Sequence, residues 1–403
     1  MKQRICITTL EFPPDLGGVG ESVSRIAQLL TALGYEVHIA VFHSKHRKAA
    51  GLHRTTMHTQ YQGELCVHRL SPALRSDQPI VQDYLSEAYF QLKQLHERYR
   101  FDLFHAFFVN ETGFLTTLLA KEAAVPVITS VRGSDLHKHI FSPKQQGQIV
   151  WTLSQSDWVT FVSQDLQRRG CVLVPELQQK SSAFWNSIQP IDFSALPEPL
   201  LADRLTGLVI GSVGRFRDKK GLEYLLDACA DLRRELPLTL LLVGDFAARE
   251  QTYWQQQIAQ SELADSVVVT GMIDRAQGLA YLPYVDIYAI PSLHDGCPNA
   301  LLEAMLAKRA IVGTTVDAIG EILMHEQNGW VVPPAATEDL TAALRQLAQS
   351  PELRSRLGQA AYQTATRFLS PAVEQAHWGN VYQQVLASPQ PVVEPLSLSA
   401  LAL

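Results

Sequence analysis

The chain has 403 residues, of which 46% are hydrophobic and 18% are charged, and its formal net charge is −6 at pH 7. This length exceeds what one hydrophobic core usually organises, so two domains are expected. The negative net charge argues against nucleic acid as a partner, because that kind of binding needs a basic surface.

The first residues predict a buried strand rather than a signal peptide, because the apolar run that follows Met1 ends at Glu11. No apolar stretch reaches the ~18 to 20 residues of a membrane span. The cysteines are scattered, odd in number and without a C-x-x-C pair, which predicts reduced thiols and no zinc or disulfide framework. They are Cys6, Cys66, Cys171, Cys229 and Cys297. These features predict a cytoplasmic protein that meets lipid, if at all, as a peripheral protein at the inner face of a membrane.

The first half alternates short β-branched runs with stretches of helical period, which predicts a parallel α/β sheet. Its predicted strands are Arg4–Thr9, Glu36–Phe42, Leu65–Leu70, Leu103–Ala106, Val125–Val131 and Trp158–Val162. Its predicted helices are one that ends near Gly34, Val81–Tyr99 and Gly113–Ala123.

A proline-rich stretch with little periodicity, residues 191–204, is interpreted as an interdomain linker between a domain at 1–190 and a second at 205–371. A second α/β series follows the linker. Its predicted strands are Leu208–Val213, Leu238–Val243, Val267–Thr270, Ile287–Ile290 and Ala310–Gly313. An amphipathic helix at 372–387 is expected to pack on either domain or across both, and the tail at 388–403 is expected to be disordered.

Gly17-Gly18-Val19-Gly20 stands between the first strand and the first helix. Glycines at such a point allow a backbone to approach a phosphate or sugar near the amide groups of a helix N-terminus. The spacing does not match the dinucleotide fingerprint G-x-G-x-x-G. A plain strand-to-helix turn is the alternative interpretation.

A second glycine-framed loop, Gly214 to Gly221, contains Arg215, Arg217, Lys219 and Lys220 and follows the strand at 208–213. Ligands of doubly wound sheets gather at the carboxyl ends of strands, and this cluster of cations suits a diphosphate. A solvated basic turn is the alternative.

The segment from Pro291 to Met305 follows another predicted strand, and Pro298 predicts a helix over Asn299–Leu306. Asp295 lies in the loop, and Glu303 lies about one turn inside the helix. Ionised carboxylates accept hydrogen bonds from the vicinal hydroxyls of a ribose or hexose. The structural alternatives are a buried Glu303 paired with Lys308 or Arg309, or an Asp295 that caps the helix.

These motifs together resemble the retaining glycosyltransferases of family 4, whose GT-B fold has two Rossmann-like doubly wound parallel-sheet domains facing an interdomain cleft. The motifs that occupy the family's places in order are 17–20, 132–135, 161–163, 214–221, 291–305 and 328–333. Their shared order and spacing, rather than any single motif, carry the resemblance.

The resemblance implies a role for each matching position. Arg215 and Lys220 would bind the donor diphosphate, and Glu303 would accept hydrogen bonds from the ribose. Asp295 and the amides of Gly296 and Cys297 would hold the transferred sugar. The remaining substrate-binding positions implied or expected are Gly17, Gly18, His105, Arg132, Asp135, Asn299, Ala300 and Leu301.

Three positions depart from the family pattern. Asp295 replaces the usual glutamate and is shorter by one C–C bond, about 1.5 Å. Arg132 replaces a common histidine and would suit an anionic acceptor. The run from Asp317 to Glu321 replaces a glycine pair and a proline.

Two histidine-containing features have open interpretations. His105 follows a strand and would line the cleft, or it is a satisfied structural histidine. The basic run at 43–48 is a solvated loop, or it contacts anionic lipid headgroups or a lipid-diphosphate acceptor. Acceptor recognition is expected from loops such as 44–59 and 71–79.

The predicted activity is metal-independent, retaining transfer of a hexosyl group from a nucleotide-diphosphate sugar to a glycan or lipid-linked acceptor. Polysaccharide, lipopolysaccharide or glycolipid synthesis is the expected setting. No cofactor besides the donor substrate and no metal site is expected, because no D-x-D triplet and no suitable His or Cys spacing occurs. The alternatives are another GT-B enzyme, such as an epimerase, phosphorylase or sugar-phosphate synthase, and a non-catalytic sugar-nucleotide-binding protein.

Overall fold

The computed structural model describes residues 2–15, 17–42, 54–73 and 81–387. The chain forms two compact units. Of the described residues, those between 2 and 162, 166–184 and 375–387 belong to the first unit, and residues 163–165 and 185–374 belong to the second. None of the described helices is both long and apolar enough to span a bilayer.

The first unit is built on an eight-stranded sheet in the order β3-β4-β2-β1-β5-β6-β7-β8. Its strands are β1 (Arg4–Thr9), β2 (Glu36–Phe42), β3 (Thr56–Gln62), β4 (Leu65–Ser71), β5 (Leu103–Phe107), β6 (Val127–Val131), β7 (Trp158–Phe161) and β8 (Ser181–Ala183). All neighbours are parallel except β3, which pairs antiparallel with β4.

Helices cover both faces of this sheet, because alternate residues of its central strands are buried in two different cores. Ile5 and Ile7 lie in the core beneath α1, whereas Cys6 lies in the core beneath α2. The helices are α1 (Gly18–Ala32), α2 (Val81–Tyr99), α3 (Glu111–Glu122), α4 (Ser134–His137), α5 (Pro143–Gln155) and α6 (Gln164–Leu173).

The second unit is built on a six-stranded parallel sheet in the order β11-β10-β9-β12-β13-β14. Its strands are β9 (Leu208–Val213), β10 (Leu238–Val243), β11 (Val267–Val269), β12 (Ile287–Ile290), β13 (Ala310–Thr314) and β14 (Trp330–Val332). Its helices are α7 (Leu222–Arg233), α8 (Gln251–Gln260), α9 (Arg275–Ala280), α10 (Asn299–Leu306), α11 (Asp317–Ile322), α12 (Thr337–Gln349) and α13 (Pro351–Phe368).

The predicted parallel α/β architecture is confirmed, and each of the eleven strands predicted from sequence is present within about two residues at its ends. The short strands β8 and β14 and the hairpin strand β3 were not predicted. Strand β3 falls in a segment expected to be an acceptor loop. Its side chains are mostly exposed on both faces, so the sequence lacks the alternation that marks a half-buried strand.

The structure divides the chain differently from the prediction at the proposed linker. Apolar side chains of residues 191–204, such as Phe193 and Leu201, pack against the core of the second unit. The final helix, α14 (Pro371–Ala387), begins in the second unit, and its residues from Gln375 onward belong to the first. The basic run at 43–48 and the tail at 388–403 lie outside the described residues.

Candidate functional site

The loop after β9 is placed against the loop after β12 because these strands are neighbours in the second sheet. Gly221 ends the first loop in the left-handed region, at φ 65°. A Cβ atom at Gly221 would lie 2.0 Å from the Pro291 carbonyl oxygen, so only glycine permits this approach. The Leu293 amide also donates to the Lys219 carbonyl oxygen, at 2.9 Å.

This approach brings two lysines of the first loop onto the carboxylate of the second. Lys220 Nζ lies 2.5 Å from Asp295 Oδ2, and Lys219 Nζ lies 3.4 Å from Asp295 Oδ1. Two ammonium groups of the first loop therefore face one carboxylate of the second.

Asp295 is ionised in this environment. Burial by itself would raise the pKa of its carboxyl group, but the ammonium groups of Lys220 and Lys219 hold that pKa well below its usual range. Burial lowers the pKa of Lys219, an effect that the nearby Asp295 carboxylate partly opposes. Asp295 is therefore a hydrogen-bond acceptor rather than a proton donor near neutral pH.

The helix that follows this loop is confirmed with the predicted bounds, and Pro298 directly precedes it. Glu303, buried on this helix, accepts a 2.8 Å hydrogen bond from Arg275 Nη2. The sequence suggested Lys308 or Arg309 as the partner of Glu303, and the observed partner Arg275 was not predicted. The signal available for Arg275 was its position at the start of a helix just after β11.

Asp317 holds the loop that contains Asp295 through a hydrogen bond to the loop backbone. Its buried carboxylate accepts the backbone N–H of Asp295 at 2.9 Å, and its φ of 44° is unusual for a residue other than glycine. Asp317 begins the run to Glu321 that departs from the pattern of the resembled family. The hydrogen bond to the Asp295 amide gives this departure a physical role.

The other predicted positions of the second unit lie on or beside the same loop. Arg215 is exposed. The Gly296 carbonyl accepts the Ala318 amide at 3.2 Å, and the Leu301 amide donates to the Pro298 carbonyl at 3.1 Å. Asn186, which the sequence analysis missed, donates through Nδ2 to the Cys297 carbonyl and to Asn299 Oδ1. Ala300 is partly buried at the start of α10.

Gly17, Gly18, Arg132 and Asp135 lie between a strand and the next helix or in the first turn of that helix, whereas His105 lies within β5 rather than after it. Gly17 directly precedes α1, and Gly18 is exposed at its first position. Asp135 is fully buried, and its carboxylate accepts the backbone amides of Val109 and Arg132 at 3.1 and 2.8 Å. Asp135 thus fixes the loop after β6. The Arg132 guanidinium lies 5.5 Å from the centre of the Phe107 ring.

His105 lies inside the first unit with no exposed surface. Its Nδ1 pairs with the Tyr382 hydroxyl and its Nε2 with the Ser130 hydroxyl, both at 2.8 Å. Burial, with a smaller effect of Arg132, lowers the pKa of His105 to about 3. Of the two roles left open for His105, the satisfied structural histidine matches this environment.

One cluster of potential metal ligands was not expected from the spacing of histidines and cysteines along the chain. His38, Cys66 and His68 are buried with their ligand atoms within 4.8 Å of one another. Spacing along the chain did not reveal them, because parallel pairing of β2 with β4 joins residues 28 positions apart.

Two family models match the chain, and together they cover most of it. One, described as a glycosyl transferase 4-like domain, matches residues 17–169, and one described as glycosyl transferases group 1 matches residues 207–350.

Among curated relatives, the amylovoran biosynthesis glycosyltransferase AmsK of Erwinia amylovora is 32% identical over 151 residues, which is 35% of this chain. The MMP α-(1→4)-mannosyltransferase of Mycolicibacterium hassiacum is 30% identical over 245 residues, which is 57% of this chain. The alignments span 36% and 58% of the lengths of these relatives.

Solved structures show the fold over nearly the whole chain. Sucrose-phosphate synthase of Thermosynechococcus elongatus superposes with a TM-score of 0.76 at 17% identity, covering 96% of this chain and all of that one. Anabaena HepE in complex with UDP superposes with a TM-score of 0.69 at 17% identity, covering 95% of this chain and all of that one. The chain therefore has the GT-B fold and belongs to the group 1 glycosyltransferases of the family 4 type.

Proposed function

We propose that this protein transfers a hexosyl group from a nucleotide-diphosphate sugar to a hydroxyl of a glycan or lipid-linked acceptor. The transfer retains the anomeric configuration and uses no metal ion. It serves polysaccharide, lipopolysaccharide or glycolipid assembly in the cytoplasm, at the inner face of the membrane when the acceptor is a lipid.

The convergence of Lys219 and Lys220 on Asp295 carries this proposal. Breaking a sugar–phosphate bond leaves negative charge on the nucleoside diphosphate and builds positive charge on the sugar ring. The two lysines and the exposed Arg215 supply positive charge that stabilises the negative nucleoside diphosphate. The ionised Asp295 supplies a hydrogen-bond acceptor beside the positively charged sugar ring. A single site thus contains both signs of charge within hydrogen-bonding distance of each other.

Glu303 and Arg275 support a ribose site next to the diphosphate. A carboxylate accepts hydrogen bonds, as the hydroxyls of a ribose require, and Arg275 is one of the partners of the Glu303 carboxylate. Arg275 also keeps Glu303 oriented on α10, whose N-terminus begins at the same loop as Asp295.

The cationic loop takes the place of a metal ion in this proposal. Lys219, Lys220 and Arg215 neutralise the departing diphosphate, and the leaving phosphate assists removal of the acceptor proton on the same face of the sugar. No pair of carboxylates in the site is assigned as nucleophile and acid, so no covalent glycosyl-enzyme intermediate is proposed.

The named relatives and neighbours agree with a nucleotide-sugar donor. Anabaena HepE was solved with UDP and with UDP-glucose, and AmsK is named for amylovoran biosynthesis. The first experiment is a thermal-shift screen against UDP-, GDP- and ADP-sugars. A donor present at 100 times its dissociation constant adds about 2.7 kcal/mol to the free energy of unfolding.

Substitution Lys220→Ala tests the assignment directly. We expect turnover with the donor found in the screen to fall by ~10² to 10³, because a preorganised positive charge is lost from the transition state. The protein should stay folded, as judged by circular dichroism and Tm. Release of nucleoside diphosphate and formation of a glycosylated acceptor are measured together, which separates transfer from epimerisation and from binding without reaction.

Arg234→Ala is the matched control. Arg234 is an exposed cation of the same unit that follows the end of α7 opposite the 214–221 loop and pairs with Glu262 at 2.8 Å. Its removal should leave turnover unchanged. Near-wild-type turnover in Lys220→Ala would remove the diphosphate assignment, and equal losses in both variants would show that the effect is not specific to the site.

A further inference from the structure

Three potential metal ligands share one face at the amino ends of β2 and β4. His38 of β2 stands directly opposite Cys66 of β4 in the parallel register, and His68 follows two residues later on the same face of β4. All three are almost fully buried, with exposed fractions of 2%, 4% and 0%.

The distances among the ligand atoms suit one small ion. His38 Nδ1 lies 3.0 Å from His68 Nε2, and Cys66 Sγ lies 3.5 Å from the same His68 nitrogen. A tetrahedral zinc ion with Zn–N near 2.0 Å and Zn–S near 2.3 Å places its ligand atoms roughly 3.3 to 3.6 Å apart. The two distances to His68 Nε2 are within a few tenths of an ångström of these values, and the His38 and Cys66 ligand atoms, which lie within 4.8 Å of each other, would approach further on binding.

The surrounding groups hold the outer nitrogens of both imidazoles. Glu36 Oε1 lies 3.1 Å from His38 Nε2, and the Thr59 hydroxyl lies 2.9 Å from His68 Nδ1. Tyr61 of β3 stands opposite Cys66 in the antiparallel register of β3 with β4. A carboxylate or hydroxyl on the far nitrogen of each imidazole is the arrangement that orients histidine ligands in metal sites, because it leaves a lone pair on the inner nitrogen.

We propose that His38, Cys66 and His68 bind one divalent transition-metal ion of the zinc class. Two imidazoles and one thiolate form a ligand set that such ions prefer, and a water molecule takes the fourth position. On binding, the ion replaces the thiol proton of Cys66, which passes to the solvent. The thiolate reduces the charge of the buried site to +1, and the Glu36 carboxylate, which is shared between His38 and Arg4, offsets part of the remainder.

The same atoms without an ion form a hydrogen-bonded chain. A neutral His68 ring carries one proton, on either Nε2 or Nδ1. When that proton of His68 lies on Nε2, it bridges to His38 Nδ1. When it lies on Nδ1 and is donated to Thr59, two nitrogen lone pairs and the sulfur face one point, so a change of one tautomer prepares the site.

The site is distinct from the proposed sugar-transfer site. It lies in the first unit at the amino ends of its strands, whereas the loop with Asp295 and Lys220 follows the carboxyl ends of β9 and β12 in the second. Tyr99, at the end of α2, packs against both imidazoles, with ring centroids at 4.5 and 5.1 Å. An ion here would fasten β2 to β4 beneath α2 and so stabilise this side of the sheet.

Cobalt(II) titration of the full chain tests the proposal. The protein is produced without a histidine tag, treated with a chelator and titrated with Co²⁺, then with Zn²⁺ in competition. We expect one equivalent of Co²⁺ to bind, with a thiolate-to-cobalt charge-transfer band and tetrahedral d–d bands, and Zn²⁺ to abolish both. One equivalent of Zn²⁺ should also raise the Tm.

Cys66→Ala and Cys229→Ala form a matched pair, since Cys229 is an equally buried thiol in the second unit. Only Cys66→Ala should lose the charge-transfer band and the Zn²⁺-dependent rise in Tm. Glu36→Gln, which leaves all three ligands in place, should weaken Zn²⁺ binding by about 10- to 100-fold and covers the case in which Cys66→Ala does not fold. Failure of the wild type to bind one equivalent, or an unchanged band in Cys66→Ala, would overturn the proposal.

Discussion

The Asp295 carboxylate forms ion pairs with the ammonium groups of Lys219 and Lys220. A donor diphosphate would compete with Asp295 for the same two ammonium groups. Asp295→Asn removes this competing charge and, with it, the carboxylate that is proposed to accept hydrogen bonds from the sugar. We therefore expect the nucleoside diphosphate to bind several-fold more tightly, because hydrogen bonds from free ammonium groups to phosphate are charge-assisted. Turnover should fall by about 100-fold. Isothermal titration with the diphosphate and an initial-rate assay measure the two effects separately.

Asp218→Asn is the control for that experiment, because Asp218 is an exposed acid of the same loop that pairs with Arg249 at 3.4 Å. Asp218→Asn should change neither the affinity for the nucleoside diphosphate nor the turnover appreciably. If Asp295→Asn instead weakened diphosphate binding as much as it slowed turnover, Asp295 would act by shaping the loop, and its role beside the sugar would be abandoned.

His105 makes the stability of the protein depend on pH. In the unfolded chain a histidine binds a proton near pH 6.5, whereas burial, and secondarily Arg132, lowers the pKa of His105 to about 3 in the folded chain. Between these pH values the unfolded state binds more protons, so the free energy of unfolding decreases as the pH falls. This contribution amounts to about 2 kcal/mol between pH 8 and pH 5.

His105→Gln isolates this contribution, since every other titrating group remains. The variant should be less stable than the wild type at pH 8, where His105 makes hydrogen bonds to Tyr382 and Ser130. The stability difference should narrow by about 2 kcal/mol at pH 5, as measured by urea unfolding at both pH values. A difference that is constant with pH would show that His105 titrates normally in the folded protein.

At the scale of elements, the sequence was informative wherever burial imposes a pattern. The apolar runs of β9, β10 and β12 predicted those strands with the bounds that the structure has, and Pro298 predicted the start of α10. Strand β3 was not predicted, because its pairing with β4 through the Gly63 turn leaves most of its side chains in water. A strand held by backbone hydrogen bonds at a sheet edge leaves little trace in hydrophobic periodicity.

The candidate site was also predictable only where a local pattern along the chain marks it. Loops at the carboxyl ends of strands were identified from sequence, because a parallel sheet places all such ends at one edge. The pairing of Glu303 with Arg275, and of the Asp295 amide with Asp317, depends on strand order. Strand order is set by which faces pack together over the whole unit, so no local pattern along the chain encodes it. The same holds for His38 and Cys66, which a parallel register joins.

The two units have separate cores, and α14 contributes to that of the first. Trp378 and Tyr382 of this helix are buried against β-strand residues of the first unit, and the Trp378 ring lies 5.0 Å from that of His105. Residues late in the chain therefore complete a unit that begins at the N-terminus. The second unit has its own apolar clusters, which do not include these side chains.

Trp378→Ala should therefore destabilise one unit selectively. Truncating a buried tryptophan typically costs 3 to 5 kcal/mol, and the loss should fall on the first unit. Hydrogen exchange read by mass spectrometry, with and without the nucleoside diphosphate, reports each unit separately. We expect faster exchange in β1, β2 and β5 and unchanged ligand-dependent protection near 214–221 and 291–303. Asn380→Ala, an exposed change on the same helix, should leave both regions as in the wild type. Equal acceleration in both units of Trp378→Ala, with loss of the ligand effect, would mean that the two cores unfold as one and that α14 stabilises the whole chain rather than the first unit.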